Sequence, residues 1–385
     1  MARYIGLLVL LIFPLLLGSC SNSAAVSENL DGDLSQEWTF VPYDSDALLV
    51  SGRANYEKGD VLILSWSASA VTIAFIGTDL QAMNWTNDVV FLDIFVDGEE
   101  SPSSVVLVAN SEESPTFVPV VSGLPYGPHV VTLYKRSESN LGDWFLYGMR
   151  VNGEVKKELL PELPERKIEF VGNSITCGYD VLVPVVGMEF DLAYESSFYS
   201  YAGQTAKILD ADARIVCSSG HGLYINVDGS STLTLPVVYD RTGTHSTSVV
   251  PWDHDKWHPD VVVINLGTND FASGKNDSTK FVDSALDFVR KVHSYHPNAR
   301  IVLLDGPMLT GEYMVMCRQY LDLVKETLEK EGLTGLYRFS FEPRENSSHG
   351  LDPHPVTDEA REDAEKLSAW MRSEFGWNQE NNDFF

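Results

Sequence analysis

Four residues of the types that take part in acyl transfer lie in the second half of this 385-residue chain: Ser174, Gly220, Asn269 and His354. A serine hydroxyl is a weak nucleophile at neutral pH and needs an adjacent base, a role that histidine fills. Glycine backbone and asparagine side-chain N–H groups can stabilise a tetrahedral oxyanion. The four residues therefore predict a serine-dependent acyl-transfer site, with oxyanion donors at Ser174 N, Gly220 N and the Asn269 amide.

A carboxylate stands close to the predicted base. Asp352 precedes His354 by two residues, so on an extended segment both side chains project to the same side. A carboxylate beside the imidazole fixes its tautomer and stabilises the imidazolium. We therefore predict Ser174, His354 and Asp352 as the catalytic residues.

Other histidines offer alternatives to this assignment. His221 lies beside Gly220 and is a rival base, although a place in the substrate pocket suits it better. His349 is a second rival, and together with Asp352 and His354 it could form a metal site. The Asp-x-His spacing and the position just before the last helical pattern favour His354 as the base and no metal.

The elements that must position these residues follow from hydrophobic patterning. Short apolar runs without strict alternation are typical of parallel strands buried on both faces, and they occur at 168–171, 215–217, 261–266 and 301–304. Helical patterns lie between and after them; one begins at a capping Asp277, and others cover 313–330 and 356–375. We therefore predict a three-layer α/β domain over 167–376, with ligands at the carboxyl ends of its strands.

The first half of the chain has a different pattern. Short alternating strands are separated by turn signals such as Asp97-Gly98 and Tyr126-Gly127-Pro128. This pattern predicts an antiparallel β-sandwich of the jelly-roll type over 37–155. A charged, proline-containing linker follows at 156–166, and a polar tail closes the chain at 377–385.

The N-terminus has the pattern of a secretory signal over residues 1–20. Arg3 precedes an apolar stretch, and Leu17-Gly18-Ser19-Cys20 resembles the bacterial lipobox, in which the cysteine becomes the lipid-bearing N-terminus. Residues 21–36 are small and polar and are typical of a tether. We therefore predict a protein anchored in the bacterial cell envelope through lipid on Cys20.

The charge and cysteine content limit the partners. The chain has 55 acidic and 27 basic residues, a net charge of −28, which disfavours nucleic acid as a partner. Besides Cys20 there are three cysteines, whose spacings fit no metal motif. We interpret Cys177, Cys217 and Cys317 as buried thiols; the sequence leaves open whether Cys177 and Cys217 bond.

These motifs resemble those of the SGNH (GDSL-like) hydrolases, and most closely carbohydrate esterase family 2. The resemblance rests on VGNSITCGYD, SSGHGLYINVDG, PVVYDRT, WDHDKWHPDVVVINLGTNDF and the later Asp-Pro-His, read in that order. It implies an N-terminal jelly roll before an SGNH domain, with Ser174 as nucleophile, His354 as base, and Gly220 and Asn269 in the oxyanion hole. Asp352 occupies the place where some members have a supporting carboxylate.

The resemblance also implies a function. It implies removal of acetyl groups, including 6-O-acetyl groups, from polysaccharides such as xylan and glucomannan, without a cofactor. The alternatives are an SGNH esterase or lipase acting on non-sugar esters, and an inactive glycan-binding surface lipoprotein. Tyr224, His221 and Trp252 are the candidate substrate-binding residues, whereas Asp270 is interpreted as structural.

Two positions depart from the usual family pattern. Asn173 stands where aspartate is usual before the nucleophile, and its side chain can still accept a hydrogen bond that shapes the turn. Pro353 stands where many members have a tryptophan before the histidine. The first departure removes a negative charge beside Ser174, and the second removes an aromatic ring that could face a sugar.

Overall fold

A computed structural model of the protein describes residues 38–109, 115–184, 188–244, 250–274, 276–344 and 354–377. The predicted signal, lipid-bearing Cys20 and tether lie outside these ranges. So do His349, Asp352 and Pro353. Their predicted roles therefore stay predictions.

Within the described residues, the N-terminal domain is an antiparallel β-structure of nine strands. Its centre is the long strand β4, which pairs with β2 and β8 over its first half and with β7 and β9 further along. Alternate residues of these strands, such as Val71, Ile73 and Leu133, are fully buried in one apolar core. The strands are β1 (Trp38–Pro42), β2 (Leu48–Ser51), β3 (Leu62–Leu64), β4 (Ala70–Thr86), β5 (Val89–Val96), β6 (Ser104–Ala109), β7 (Thr116–Val121), β8 (Gly127–Lys135) and β9 (Trp144–Val155).

The second domain, in the ranges that the structure describes, is built on a parallel sheet of five strands in the order β11-β10-β12-β13-β14. These strands are β10 (Arg166–Gly172), β11 (Ala211–Cys217), β12 (Val261–Asn265), β13 (Arg300–Asp305) and β14 (Leu336–Ser340). The predicted fold class, an antiparallel β domain followed by a parallel α/β domain, is confirmed. β14 was not predicted, because this edge strand reads Leu-Tyr-Arg-Phe-Ser and lacks an apolar run.

Helices cover both faces of the parallel sheet. They are α1 (Ser174–Cys177), α2 (Tyr201–Ile208), α3 (Leu235–Val238), α4 (Thr268–Ala272), α5 (Ser278–Tyr295), α6 (Gly311–Lys330) and α7 (Thr357–Phe375). Val262 and Ile264 of β12 pack with α5 and α6, whereas Val261 and Val263 pack with α2 and α7. Alternation along a strand buried on both faces thus produces the three predicted layers. The Asp277 side chain accepts from Lys280 N at 3.2 Å, which confirms the predicted helix cap.

Buried polar contacts join the two domains. Arg53 of the N-terminal domain forms an ion pair with Glu169 of β10 at 2.9 Å, and both side chains are almost fully buried. The Tyr239 hydroxyl donates to the other oxygen of Glu169 at 2.6 Å. Among the described helices, none is long and apolar enough to cross a membrane.

Candidate active site

β10 delivers Ser174 to the carboxyl edge of the parallel sheet. The strand ends at Gly172, Asn173 forms the N-cap, and Ser174 is the first residue of α1. A β-carbon at Gly172 would collide with the Thr176 side chain, so the tight turn from strand to helix requires glycine. Ser174 is 7% exposed, so most of the residue is enclosed by its neighbours.

The imidazole of His354 contacts the Ser174 hydroxyl. His354 Nε2 lies 2.6 Å from Ser174 Oγ, a hydrogen-bond distance suited to proton transfer. The histidine precedes α7, whose first residue Thr357 donates from both N and Oγ1 to Val181 O. Since Val181 follows closely after α1, this contact holds the chain around His354 beside the chain around Ser174.

Tyr179 packs on the predicted base, a contact that no sequence pattern predicts. Its ring centre lies 4.7 Å from that of His354, and the ring of Phe190 is stacked on it at 4.0 Å. Tyr179 N also donates to Ser174 O at 3.0 Å. The only sequence signal was its place five residues after Ser174, in the same motif.

Asn173 differs from the expectation stated above. Its side chain is fully buried and caps no helix N–H. Neither side-chain polar atom has a hydrogen-bond partner within the described ranges. The turn is therefore shaped by Gly172 and by the backbone hydrogen bonds of α1. Within the described ranges, the Asn173 side chain accepts no hydrogen bond from the turn.

The glycine turn (residues 218–222) follows β11 and faces the same edge. Gly220 has a φ of 78°, in the left-handed region that favours glycine. Its carbonyl accepts from Val227 N at 2.9 Å, and Ser219 O accepts from His221 Nδ1 at 3.1 Å. These bonds fix both peptide units that flank Gly220.

Asn269 connects the glycine turn to the end of β12. It lies in the first turn of α4, and its Nδ2 donates to His221 O at 2.8 Å. An amide nitrogen has two N–H bonds, so one remains for a substrate oxygen. In the part of the chain that the structure describes, Ser174 N and Gly220 N donate to no other residue. Three N–H groups thus remain for an oxyanion.

Asp270 holds the segment that follows the glycine turn. Its carboxylate accepts from Leu223 N and Tyr224 N at 2.9 Å and from Ile225 N at 3.2 Å. Burial raises its pKa to about 6, although these three donors oppose the shift. Asp270 therefore has the structural contacts that the sequence analysis expected.

We expect Asp270→Asn to remove a pH dependence of stability. Because the folded-state pKa of Asp270 is about 6 against an ordinary 3.8, the folded protein binds this proton more tightly than the unfolded chain. Its contribution to the free energy of unfolding is full below pH 3.8 and is lost as the pH rises through 6. Urea titrations at several pH values should show the wild type losing stability relative to Asp270→Asn over this interval, and parallel pH profiles would contradict the assignment.

Cys177 and Cys217 form a disulfide, the pairing that the sequence left open. Their Cα atoms are 5.5 Å apart, and the bond closes a sequence separation of 40 residues. Cys177 ends α1 and Cys217 ends β11, so the bond links the serine segment to the glycine turn. Cys317 is a buried free thiol, as expected.

Removal of this disulfide is expected to destabilise the fold. For a loop of 40 residues, chain entropy gives a loss of about 4 kcal/mol in the free energy of unfolding. Urea denaturation of Cys177→Ala/Cys217→Ala against the oxidised wild type measures it, with the reduced wild type as a second reference. Equal midpoints for the double variant and the oxidised protein would show that the bond contributes nothing.

The predicted substrate-binding residues have different surroundings. His221 is held in the glycine turn, and burial lowers its pKa, so it is neutral at pH 7. Tyr224 accepts from Asp277 N at 2.8 Å and lines a groove of about 880 Å³. Trp252 is buried beneath Arg53 and Arg214, with cation–ring distances of 5.6 and 5.0 Å. Trp252 as a substrate-binding residue stays a prediction.

The described side chains supply the parts of an acyl-transfer site. No group of three metal-ligating side chains occurs within the described residues. The metal alternative also needs His349 and Asp352, which lie outside them. Ser174, a histidine at hydrogen-bond distance and three N–H donors are the parts of a nucleophile, a base and an oxyanion site.

Comparisons with known proteins match both domains. The model of the carbohydrate esterase 2 N-terminal family matches residues 50–161. The model of the GDSL-like lipase/acylhydrolase family matches residues 170–373. The first match falls on the β domain and the second on the α/β domain that carries Ser174 and His354.

Individual relatives agree with these matches. Cellulase/esterase CelE of Acetivibrio thermocellus is 34% identical over 87% of this chain, which spans 40% of the length of that protein. An acetylxylan esterase / glucomannan deacetylase of Cellvibrio japonicus is 29% identical, covering 95% of this chain and 99% of its own length. A family two carbohydrate esterase from Clostridium thermocellum, solved with cellohexaose, superposes with a TM-score of 0.79 at 33% identity, over 86% of this chain and 99% of that one.

Proposed function

The chain belongs to carbohydrate esterase family 2, with a catalytic domain of the GDSL-like lipase/acylhydrolase family, and from this premise we propose that it removes acetyl groups from polysaccharides. The observation that carries the proposal is the 2.6 Å contact between His354 Nε2 and Ser174 Oγ. A nucleophile and its base already lie together at the carboxyl edge of the sheet. The geometry indicates ester hydrolysis, and the family membership indicates that the ester is an acetylated carbohydrate.

The geometry gives each residue a step in the reaction. His354 takes the hydroxyl proton while Ser174 Oγ bonds to the acetyl carbonyl carbon, and the carbonyl electron pair moves onto its oxygen. The oxyanion lies within reach of the N–H groups of Ser174, Gly220 and Asn269. His354 then protonates the sugar oxygen, which leaves as an alcohol. Water attacks the acetyl-enzyme with His354 again as base, which releases acetate and restores Ser174.

The substrate proposal rests on the relatives. Two of them are named acetylxylan esterase / glucomannan deacetylase, and the solved relative from Clostridium thermocellum holds cellohexaose. We therefore infer acetylated xylan or glucomannan as the substrate class, with 6-O-acetyl groups as the expected position. Asp352 is proposed as the carboxylate that orients His354.

Acetate release from acetylated xylan and glucomannan tests the proposal. We expect the wild type to release acetate from at least one polymer and Ser174→Ala to release none. On nitrophenyl esters, acetate should be hydrolysed faster than octanoate. A preference for octanoate would favour an esterase for non-sugar esters. If the wild type showed no turnover, and both it and Ser174→Ala bound glycan, the result would favour an inactive glycan-binding lipoprotein.

We also propose that the protein is held in the bacterial cell envelope by lipid on Cys20. The supporting observation is the lipobox-like Leu17-Gly18-Ser19-Cys20 after an apolar stretch. Expression in a bacterial host should place the wild type in the membrane fraction, labelled by a fatty-acid probe. Cys20→Ala should lose the label, and equal labelling of both proteins would contradict the proposal.

A further inference from the structure

Glu138 of the N-terminal domain reaches the glycine turn of the catalytic domain. Its Oε2 accepts a hydrogen bond from Ser219 N at 2.6 Å, across a sequence separation of 81 residues. Ser219 immediately precedes Gly220, whose N–H belongs to the oxyanion site described above. The side chain is 1% exposed, so water does not compete for this bond.

The segment that carries Glu138 is held from several directions. Residues 135–139 are all buried. Lys135 Nζ donates to Ser137 O at 2.8 Å and to Glu138 O at 3.2 Å. From the catalytic domain, Thr244 N donates to Ser139 Oγ at 2.8 Å. The carboxylate therefore projects from a backbone that is fixed on both sides of the domain interface.

A second buried carboxyl group faces Glu138. Glu138 N donates to Glu195 Oε1 at 2.5 Å, and both side chains are fully or almost fully buried. Burial and the neighbouring Glu138 raise the pKa of Glu195 well above its ordinary value. The Glu138 backbone N–H thus holds Glu195, and Glu138 Oε2 remains the acceptor for Ser219 N.

Docking of the two domains alone does not explain this arrangement. Arg53 and Glu169 already form a buried ion pair across the interface, and within the described ranges neither side chain hydrogen-bonds to the glycine turn. A buried carboxylate is unfavourable unless it is hydrogen-bonded, and Glu138 directs its acceptor to the residue beside an oxyanion donor. The bond fixes the peptide unit before Ser219, while His221 Nδ1 holds the following unit through Ser219 O.

We propose that Glu138 is a positioning residue of the oxyanion site: its carboxylate holds Ser219 N so that Gly220 N–H points at the reacting carbonyl oxygen. The N-terminal domain thereby completes the active site of the catalytic domain. The inference rests on the proposed ester hydrolysis at Ser174, but it does not depend on which acetylated polymer is the substrate.

Two substitutions of Glu138 distinguish the position of its acceptor oxygen from the charge of its carboxylate. Glu138→Gln keeps an acceptor oxygen at the same reach without the charge, whereas Glu138→Asp keeps the charge but shortens the side chain by one methylene. With nitrophenyl acetate, we expect Glu138→Asp to lower kcat by about tenfold to a hundredfold with KM unchanged, because a displaced donor affects the transition state. Glu138→Gln should stay within about threefold of the wild type, since the acceptor that positions the donor is retained.

Glu169→Gln is the matched control, because it alters a buried carboxylate at the same interface away from the turn. It should lower the thermal midpoint and leave kcat unchanged. The inference would be overturned if Glu138→Asp kept the wild-type kcat. It would also be overturned if Glu138→Gln or Glu169→Gln lost as much kcat as Glu138→Asp. A wild type without activity on nitrophenyl acetate would overturn the proposed function itself, and the inference with it.

Discussion

Ser174→Ala is expected to lower kcat for acetyl-ester hydrolysis by about 10⁶-fold, the order of loss found when a serine nucleophile is removed from a comparable site. The reason is the 2.6 Å contact with His354, which makes Ser174 Oγ the atom that the base can deprotonate. Residual turnover above that of water would come from the oxyanion donors, which the substitution leaves in place. Steady-state rates on nitrophenyl acetate measure the effect.

Non-additivity identifies the pair as one unit. His354→Ala should cost nearly as much as Ser174→Ala, and the double variant should be no slower than either single variant. Ser294→Ala, which removes a hydroxyl from the exposed side of α5, is the control and should keep the wild-type rate. If His354→Ala kept more than about a tenth of the wild-type kcat, another group would be the base.

The pairing of Ser174 with His354 could be predicted because each part of the site has a recognisable residue at the end of a predicted element. Glycine ends β10 before the serine, and the histidine precedes a helical pattern. Buried parallel strands bring their carboxyl ends to one edge, so strand order did not need to be known. The features that local patterns determine, namely the strand ends and the residues that follow them, could therefore be predicted from the sequence.

Contacts between distant segments could not be predicted in this way. Tyr179 and Glu138 act on the site through packing and through a bond across the domain interface, and neither has a local pattern that reveals its partner. Trp252 is buried with the guanidinium groups of Arg53 and Arg214 near its ring, contacts that its local sequence does not reveal. The Asn173 side chain is buried and has no hydrogen-bond partner within the described ranges. This depends on how its neighbours pack, which the local sequence does not reveal.

Asn269→Ala is expected to lower kcat by about 10²- to 10³-fold, or about 2.7–4 kcal/mol of transition-state stabilisation, with a smaller change in KM. One N–H of the amide holds His221 O at 2.8 Å, and the other is available to the oxyanion. The substitution therefore removes a donor and also releases the glycine turn. Both effects weaken the transition state more than the ground state.

Asn226 provides a matched control for the second of these effects. Its side chain accepts from Gly222 N at 3.1 Å and donates to Thr232 O at 2.9 Å, so it also holds the glycine turn. Asn226→Ala should therefore lower the thermal midpoint and reduce kcat much less than Asn269→Ala. The ratio of the two kcat values isolates the direct donor contribution of Asn269. Equal kcat values would mean that Asn269 acts only by holding the turn, and the oxyanion would then depend on the backbone donors of Ser174 and Gly220.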